Sequence, residues 1–126
     1  MAVRFAGGNF DLHNDQNILT INSPQNKIFD RIHVVVYKDE IDRWCVVALD
    51  YSDDKNIGNP RLGLRWFWSK FGFPNSRQFA TWIVLPPSIS DTLMKGGAFG
   101  LPQEKIRLLK GFLDGQISGT QLKRQF

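Results

Sequence analysis

Asp30-Arg31-Ile32-His33-Val34-Val35-Val36-Tyr37-Lys38, then Asp39-Glu40-Ile41-Asp42, then Arg43-Trp44-Cys45-Val46-Val47-Ala48-Leu49-Asp50-Tyr51 is the stretch that decides the fold. Two runs rich in valine and aromatic residues flank four residues of turn composition. The pattern predicts two strands, Asp30 to Lys38 and Arg43 to Tyr51, paired antiparallel around a loop of Asp39 to Asp42. Alternation then puts Trp44 and Val46 on the face that holds Val34 or Val36.

Working outward, Ile18 to Asn22, Leu62 to Lys70 and Phe79 to Leu85 read as further strands, each bounded by Asn, Asp, Gly, Pro or Ser. The chain changes character near Pro86-Pro87, where strand alternation gives way to helical spacing. Ser88 with Asp91 forms a capping-box-like pair for a helix over Ile89 to Lys95, which Gly96-Gly97 ends. Pro102 opens a second helix with Ile106, Leu109 and Leu113 on one stripe, Leu108 and Phe112 on its flank, and Gly115 as the stop. Ser118 and Gln121 cap a last short helix running through Leu122 to Phe126. No helix lies between strands to serve as a parallel crossover. The expected fold is therefore α+β: an antiparallel sheet of about five strands (residues 17–85), with C-terminal helices on one face, in a single domain of residues 1–126.

The run Leu108-Leu109-Lys110-Gly111-Phe112-Leu113-Asp114-Gly115-Gln116-Ile117-Ser118-Gly119-Thr120-Gln121-Leu122 resembles a helical hairpin common in small bacterial domains, including short oligomerisation modules and some immunity proteins. The likeness is a packing pattern and implies no activity.

The 126 residues suffice for one hydrophobic core without disulfides or a structural metal. Aromatic content is high at 13%, with ten Phe and four Trp, and such rings either fill a core or form a recognition surface. Cys45 is the one cysteine, the Met1-Ala2-Val3-Arg4 start carries no apolar signal stretch, and no apolar run approaches a membrane span; a cytoplasmic location is expected. A net charge of +4 admits single-stranded nucleic acid or an acidic protein as partner without requiring either.

Taken as a strand, Arg61-Leu62-Gly63-Leu64-Arg65-Trp66-Phe67-Trp68-Ser69-Lys70 places Leu62, Leu64, Trp66 and Trp68 on one face as a core stripe. Arg61, Gly63, Arg65, Phe67 and Ser69 fall on the other. A phenylalanine between arginines can stack bases while the cations neutralise phosphates, and one register adds Arg31, His33 and Tyr37 to the same face, with Lys70 and Arg77 at its flank. The competing reading covers that face with helices, making Phe67 core and leaving the arginines to reach out from a rim.

Other patterns carry less. Asp50, Asp53 and Asp54, with Asp39, Glu40 and Asp42, have turn composition and lack a nuclease spacing, so no metal site is expected. His13 and His33 share no ligand spacing with each other or with Cys45. His33, in a strand among valines, reads as a hydrogen-bonded structural histidine, and Cys45 as a small buried hydrophobe. Lys95-Gly96-Gly97-Ala98-Phe99-Gly100 precedes a helix but completes no phosphate-loop pattern, and Gly-x-Ser-x-Gly is missing.

The expectation is a non-enzymatic binding domain without a cofactor, in which Arg61, Arg65, Phe67, Lys70, Arg31, His33 and Tyr37 form a face for single-stranded nucleic acid. Two alternatives stand beside it. One is a protein-interaction or self-assembling module using an apolar patch of Leu108, Phe112, Leu122 and Phe126. The other is a small hydrolase or nuclease drawing on Asp50 and His33.

Overall fold

In the computed structural model, residues 11–21, 32–52, 58–68, 72–76 and 79–126 are described. The two valine-rich runs form β1 (Ile32–Asp39) and β2 (Trp44–Tyr51), paired antiparallel, with β3 (Asn59–Trp66) on the far side of β2. Phe79 to Leu85 is not one strand. It divides into β5 (Phe79–Ala80), which pairs with β4 (Asn75–Ser76) in a separate ribbon, and β6 (Ile83–Leu85), which returns to the main sheet beside β3. The main sheet is antiparallel throughout, in the order β1-β2-β3-β6. Ile18 to Asn22 is also corrected: Ile18 ends the single-turn helix α1 (Asp15–Ile18), because the Asn14 side chain accepts the Asn17 N–H and nucleates a turn there. Asn22 lies outside the described residues.

The hairpin loop sits one residue later than expected. Asp39 pairs with Trp44, and its carboxylate accepts the N–H groups of Ile41 and Asp42 at 3.0 and 2.8 Å, closing the turn from within the strand. Arg43 then takes a left-handed conformation, φ 57°, to re-enter β2. Two irregularities interrupt the β1–β2 ladder, between Ile32 and Val34 and between Val35 and Tyr37. Each inserts a residue and resets which face follows.

Three helices follow the sheet: α2 (Pro87–Lys95), α3 (Gln103–Leu113) and α4 (Gly119–Gln125). Pro86, not Ser88, occupies the first cap, and Asp91 pairs with Lys95 and Lys110 instead of capping. Ser118 and Gln121 do form a reciprocal capping box, at 3.1 and 2.9 Å. Leu109, Phe112 and Leu122 are fully buried with Met94 and Phe99 against Val36, Val46, Ala48 and Leu62. At about 1.5–3 kcal/mol per large apolar side chain, this burial holds a seven-residue helix that could not persist alone.

The opposite face of the sheet is covered as well. Cys45, Val47, Leu49 and Phe67 pack beneath Leu12, Ile18 and Ile21 from the N-terminal segment and Ala80 and Trp82 from the segment before β6. Gly63 lies beneath Leu49 and Trp82, where a Cβ would fall 2.7 Å from the Leu49 side chain, and the Trp82 indole N–H donates to the Ile21 carbonyl at 2.5 Å. The sheet is thus the middle of three layers. Among the described residues no helix is long and apolar enough to cross a membrane.

Candidate functional site

The face expected to meet nucleic acid is interior. Arg65 is 0% exposed and Phe67 3%, both beneath the layer that the N-terminal segment and Trp82 supply. Arg61 is half-buried, and its guanidinium donates to the neighbouring Pro60 carbonyl. His33 and Tyr37 belong to the helical side, not to the Arg65 side: Tyr37 pairs with Val46, which pairs with Leu64, whereas Arg65 lies opposite Cys45 and so faces the other way. The His33 ring meets Phe112 edge-on at 5.6 Å, and Tyr37 packs between Trp44 and Phe99. Arg31, Lys70 and Arg77 lie outside the described residues, as do Asp53 and Asp54. The expected platform is therefore divided between two buried layers.

Arg65 has an interior task. Its guanidinium donates to the carbonyls of Pro74 and Thr81 at 3.0 and 2.8 Å and lies 5.2 Å from the Phe67 ring centre. Burial lowers its pKa to about 10, so it remains charged at neutral pH. Opposite it on β2, the Cys45 thiol is pushed up to about 12, chiefly by desolvation, which makes it a neutral, unreactive core side chain. The Arg65 bonds fix the segment between β3 and β6 from inside the molecule.

That segment carries the exposed aromatic surface. Phe73 is held opposite Trp66 by reciprocal backbone hydrogen bonds of 2.7 and 3.0 Å, at the point where β3 leaves the sheet. The Trp66 ring lies 5.0 Å from Trp68 and 6.3 Å from Phe73, centre to centre. Trp68 donates its indole N–H to the Asp42 carbonyl at 3.1 Å, which places the hairpin tip, with Ile41, beside it. Four large hydrophobic residues are markedly exposed among the described residues. Three belong to this end, namely Ile41 at 92%, Trp68 at 46% and Phe73 at 48%, while Ile89 lies apart on α2. Trp66 and Trp68 were placed on a core stripe by alternation. The stripe holds through Leu62 and Leu64, then runs past the end of the helical layer. Ile41 was the readable sign, since an isoleucine at the tip of an acidic turn has nothing of its own to bury it.

The hairpin tip is acidic within a basic chain. Residues 39–43 carry Asp39, Glu40, Asp42 and Arg43, a net of −2 in a protein of net +4. Glu40 pairs with His13 at 3.2 Å and Lys38 with Asp15, which leaves Arg43, exposed beside the loop of Phe67 and Trp68, as the cation of the tip.

The structure does bring Asp50 and His33 together, at 3.1 Å from Nε2 to Oδ2, though not aligned as a hydrogen bond. Asp50 edges a cleft of about 230 Å³ with Gly58, Pro60, Phe112, Gly115, Ile117, Ser118 and Gly119. The imidazole edge, however, is closed by Gly119: a Cβ on that residue would fall 2.0 Å from Nε2. Nε2, the nitrogen that faces Asp50, is thus buried with no room for a substrate beside it, and Ser118 spends its hydroxyl on the α4 cap. A second cleft, about 320 Å³, is lined by Tyr51, Arg61, Val84, Leu85, Pro86 and Pro87. Among the described residues no three His, Cys, Asp or Glu side chains converge as a metal site.

The C-terminal patch is likewise interior. Phe112 and Leu122 are 1% and 0% exposed, and Leu108 and Phe126 pack half-buried against the same core. These four residues hold the hairpin down, which removes the apolar surface expected there. No family model, curated protein or solved structure matches the chain.

Proposed function

We propose that this chain is a non-catalytic protein-interaction domain whose contact surface is the end formed by Ile41, Trp66, Trp68 and Phe73, and whose partner is a short segment of another protein. The observation that carries the reading is the concentration on two adjoining loops of three of the four large hydrophobics exposed among the described residues. Rings half exposed and held by backbone pairing are suited to act as anchors, since Trp in particular dominates binding energy at interfaces when water is excluded around it. The surface rests on three exposed side chains and a partly buried Trp66, far fewer than the roughly 20–30 residues a side of a standard interface. A peptide-sized partner fits that surface better than a permanent subunit does.

A nucleic acid fits this surface less well. Bases can stack on tryptophan, but phosphates need several cations beside the rings, and the hairpin tip sets the carboxylates of Glu40 and Asp42 against the single cation of Arg43. The test is selection of a random 12-residue peptide library on the wild-type chain, followed by titration of synthesised hits monitored by tryptophan fluorescence. Hits should bind wild type and lose at least ten-fold affinity for Trp68→Ala. Hits that bind Trp68→Ala equally, or failure to enrich any peptide, would overturn the proposal.

A further inference from the structure

We infer that the segment this surface takes is basic, with apolar side chains alternating with lysine or arginine; the inference rests on the interaction reading above and adds the chemistry of the partner. Three features converge at one place. Ile41 is almost wholly exposed at the hairpin tip, flanked in sequence by the carboxylates of Glu40 and Asp42. Trp68 is moored to the Asp42 backbone, so its half-exposed face and the Asp42 side chain belong to one short stretch of surface. The Asp39 carboxylate is occupied by the turn N–H groups, and Glu40 meets only His13, leaving Asp42 and Glu40 as the acids able to meet a ligand cation.

The chemistry favours a cation twice over. A lysine or arginine laid over an indole face is attracted by the ring quadrupole, and an arginine can at the same time pair with a carboxylate beside it. An acidic segment would meet like charge at the rim, and complementary rim charge is a main source of specificity and of association rate. The apolar positions of the partner would cover Ile41, Trp68 and Phe73.

The experiment titrates wild type, by tryptophan fluorescence in 50 mM and 500 mM salt, with two 12-residue peptides of alternating leucine and lysine or leucine and glutamate, and with a 12-mer of deoxythymidine. The lysine peptide should bind at least ten-fold more tightly than the glutamate peptide and weaken several-fold in high salt. Asp42→Asn with Glu40→Gln should weaken it about three- to ten-fold. Asp42→Lys with Glu40→Lys should turn the preference toward the glutamate peptide, an inversion that a loss of fold cannot produce. If both peptides bind equally and both require Trp68, the basic partner is wrong while the interaction surface stands. If neither peptide requires Trp68, or the oligonucleotide binds most tightly through it, the surface reading fails and this inference with it.

Discussion

Arg65 shows how a single residue can invert a functional expectation. An arginine beside a phenylalanine reads as a stacking platform, yet here the guanidinium is buried and spends its donors on the Pro74 and Thr81 carbonyls. Arg65→Ala takes the guanidinium donor from both carbonyls, of which Pro74 keeps the Thr81 N–H, and empties a fully buried site; it is expected to cost about 3 kcal/mol in urea unfolding, with Arg65→Lys intermediate. Its neighbour Cys45 gives a pH signature. The native thiol, raised to about 12, stays neutral where the unfolded chain begins to ionise near its ordinary value of 9.0. Its contribution is therefore complete below about pH 9 and is lost as pH climbs toward 12. Arg65, lowered to about 10, acts with the opposite sign and only above that value. Between pH 9 and 10 wild type should thus lose stability faster than Cys45→Ala, by at most about 1.4 kcal/mol per pH unit. Equal slopes would contradict the burial assigned to the thiol. What the sequence could not disclose at this scale is which of two plausible faces lies inside, because alternation separates faces without saying what covers them.

At the scale of elements, the hairpin, the helical third and the α4 capping box were legible because each follows from local chemistry: alternation, turn residues, Ser-x-x-Gln. The failures have non-local causes. Ile18 to Asn22 looked like a strand until Asn14 capped it, and His33 and Tyr37 face the helices because the hairpin pairs Tyr37 with Val46 and sets Cys45 opposite Arg65, a register that alternation within one strand does not contain. The His33–Asp50 pair was named from residue types, whereas its closure by Gly119 depends on where α4 lands. Two predictions follow from that docking. Ser118→Ala should cost about 1 kcal/mol through loss of the cap. Gly119→Ala forces a methyl into the His33 ring and should cost about 1–3 kcal/mol, most of it regained in the double variant with His33→Ala. A Gly119→Ala chain as stable as wild type in urea would refute the packing of α4 on His33.

At the scale of the molecule, three layers bury both faces of the sheet, and among the described residues the exposed apolar side chains gather at one end, where the hairpin tip meets Trp68 and Phe73. The α+β class was readable; the middle position of the sheet was not, because the second covering layer comes from the N-terminal segment and the irregular stretch before β6. This architecture separates stability from binding. Phe112→Ala should lose about 3–5 kcal/mol, whereas Trp68→Ala, removing a half-exposed ring and one hydrogen bond, should lose about 1 kcal/mol in the same urea titration. The most direct measurement is chemical-shift mapping of the ¹⁵N-labelled chain during titration with the alternating leucine-lysine peptide. The account predicts saturable shifts centred on the amides of Ile41, Trp66, Trp68 and Phe73 and on the Trp68 indole N–H. Shifts centred instead on α3 and α4, on the clefts beside Asp50 or Arg61, or on no contiguous surface would contradict it.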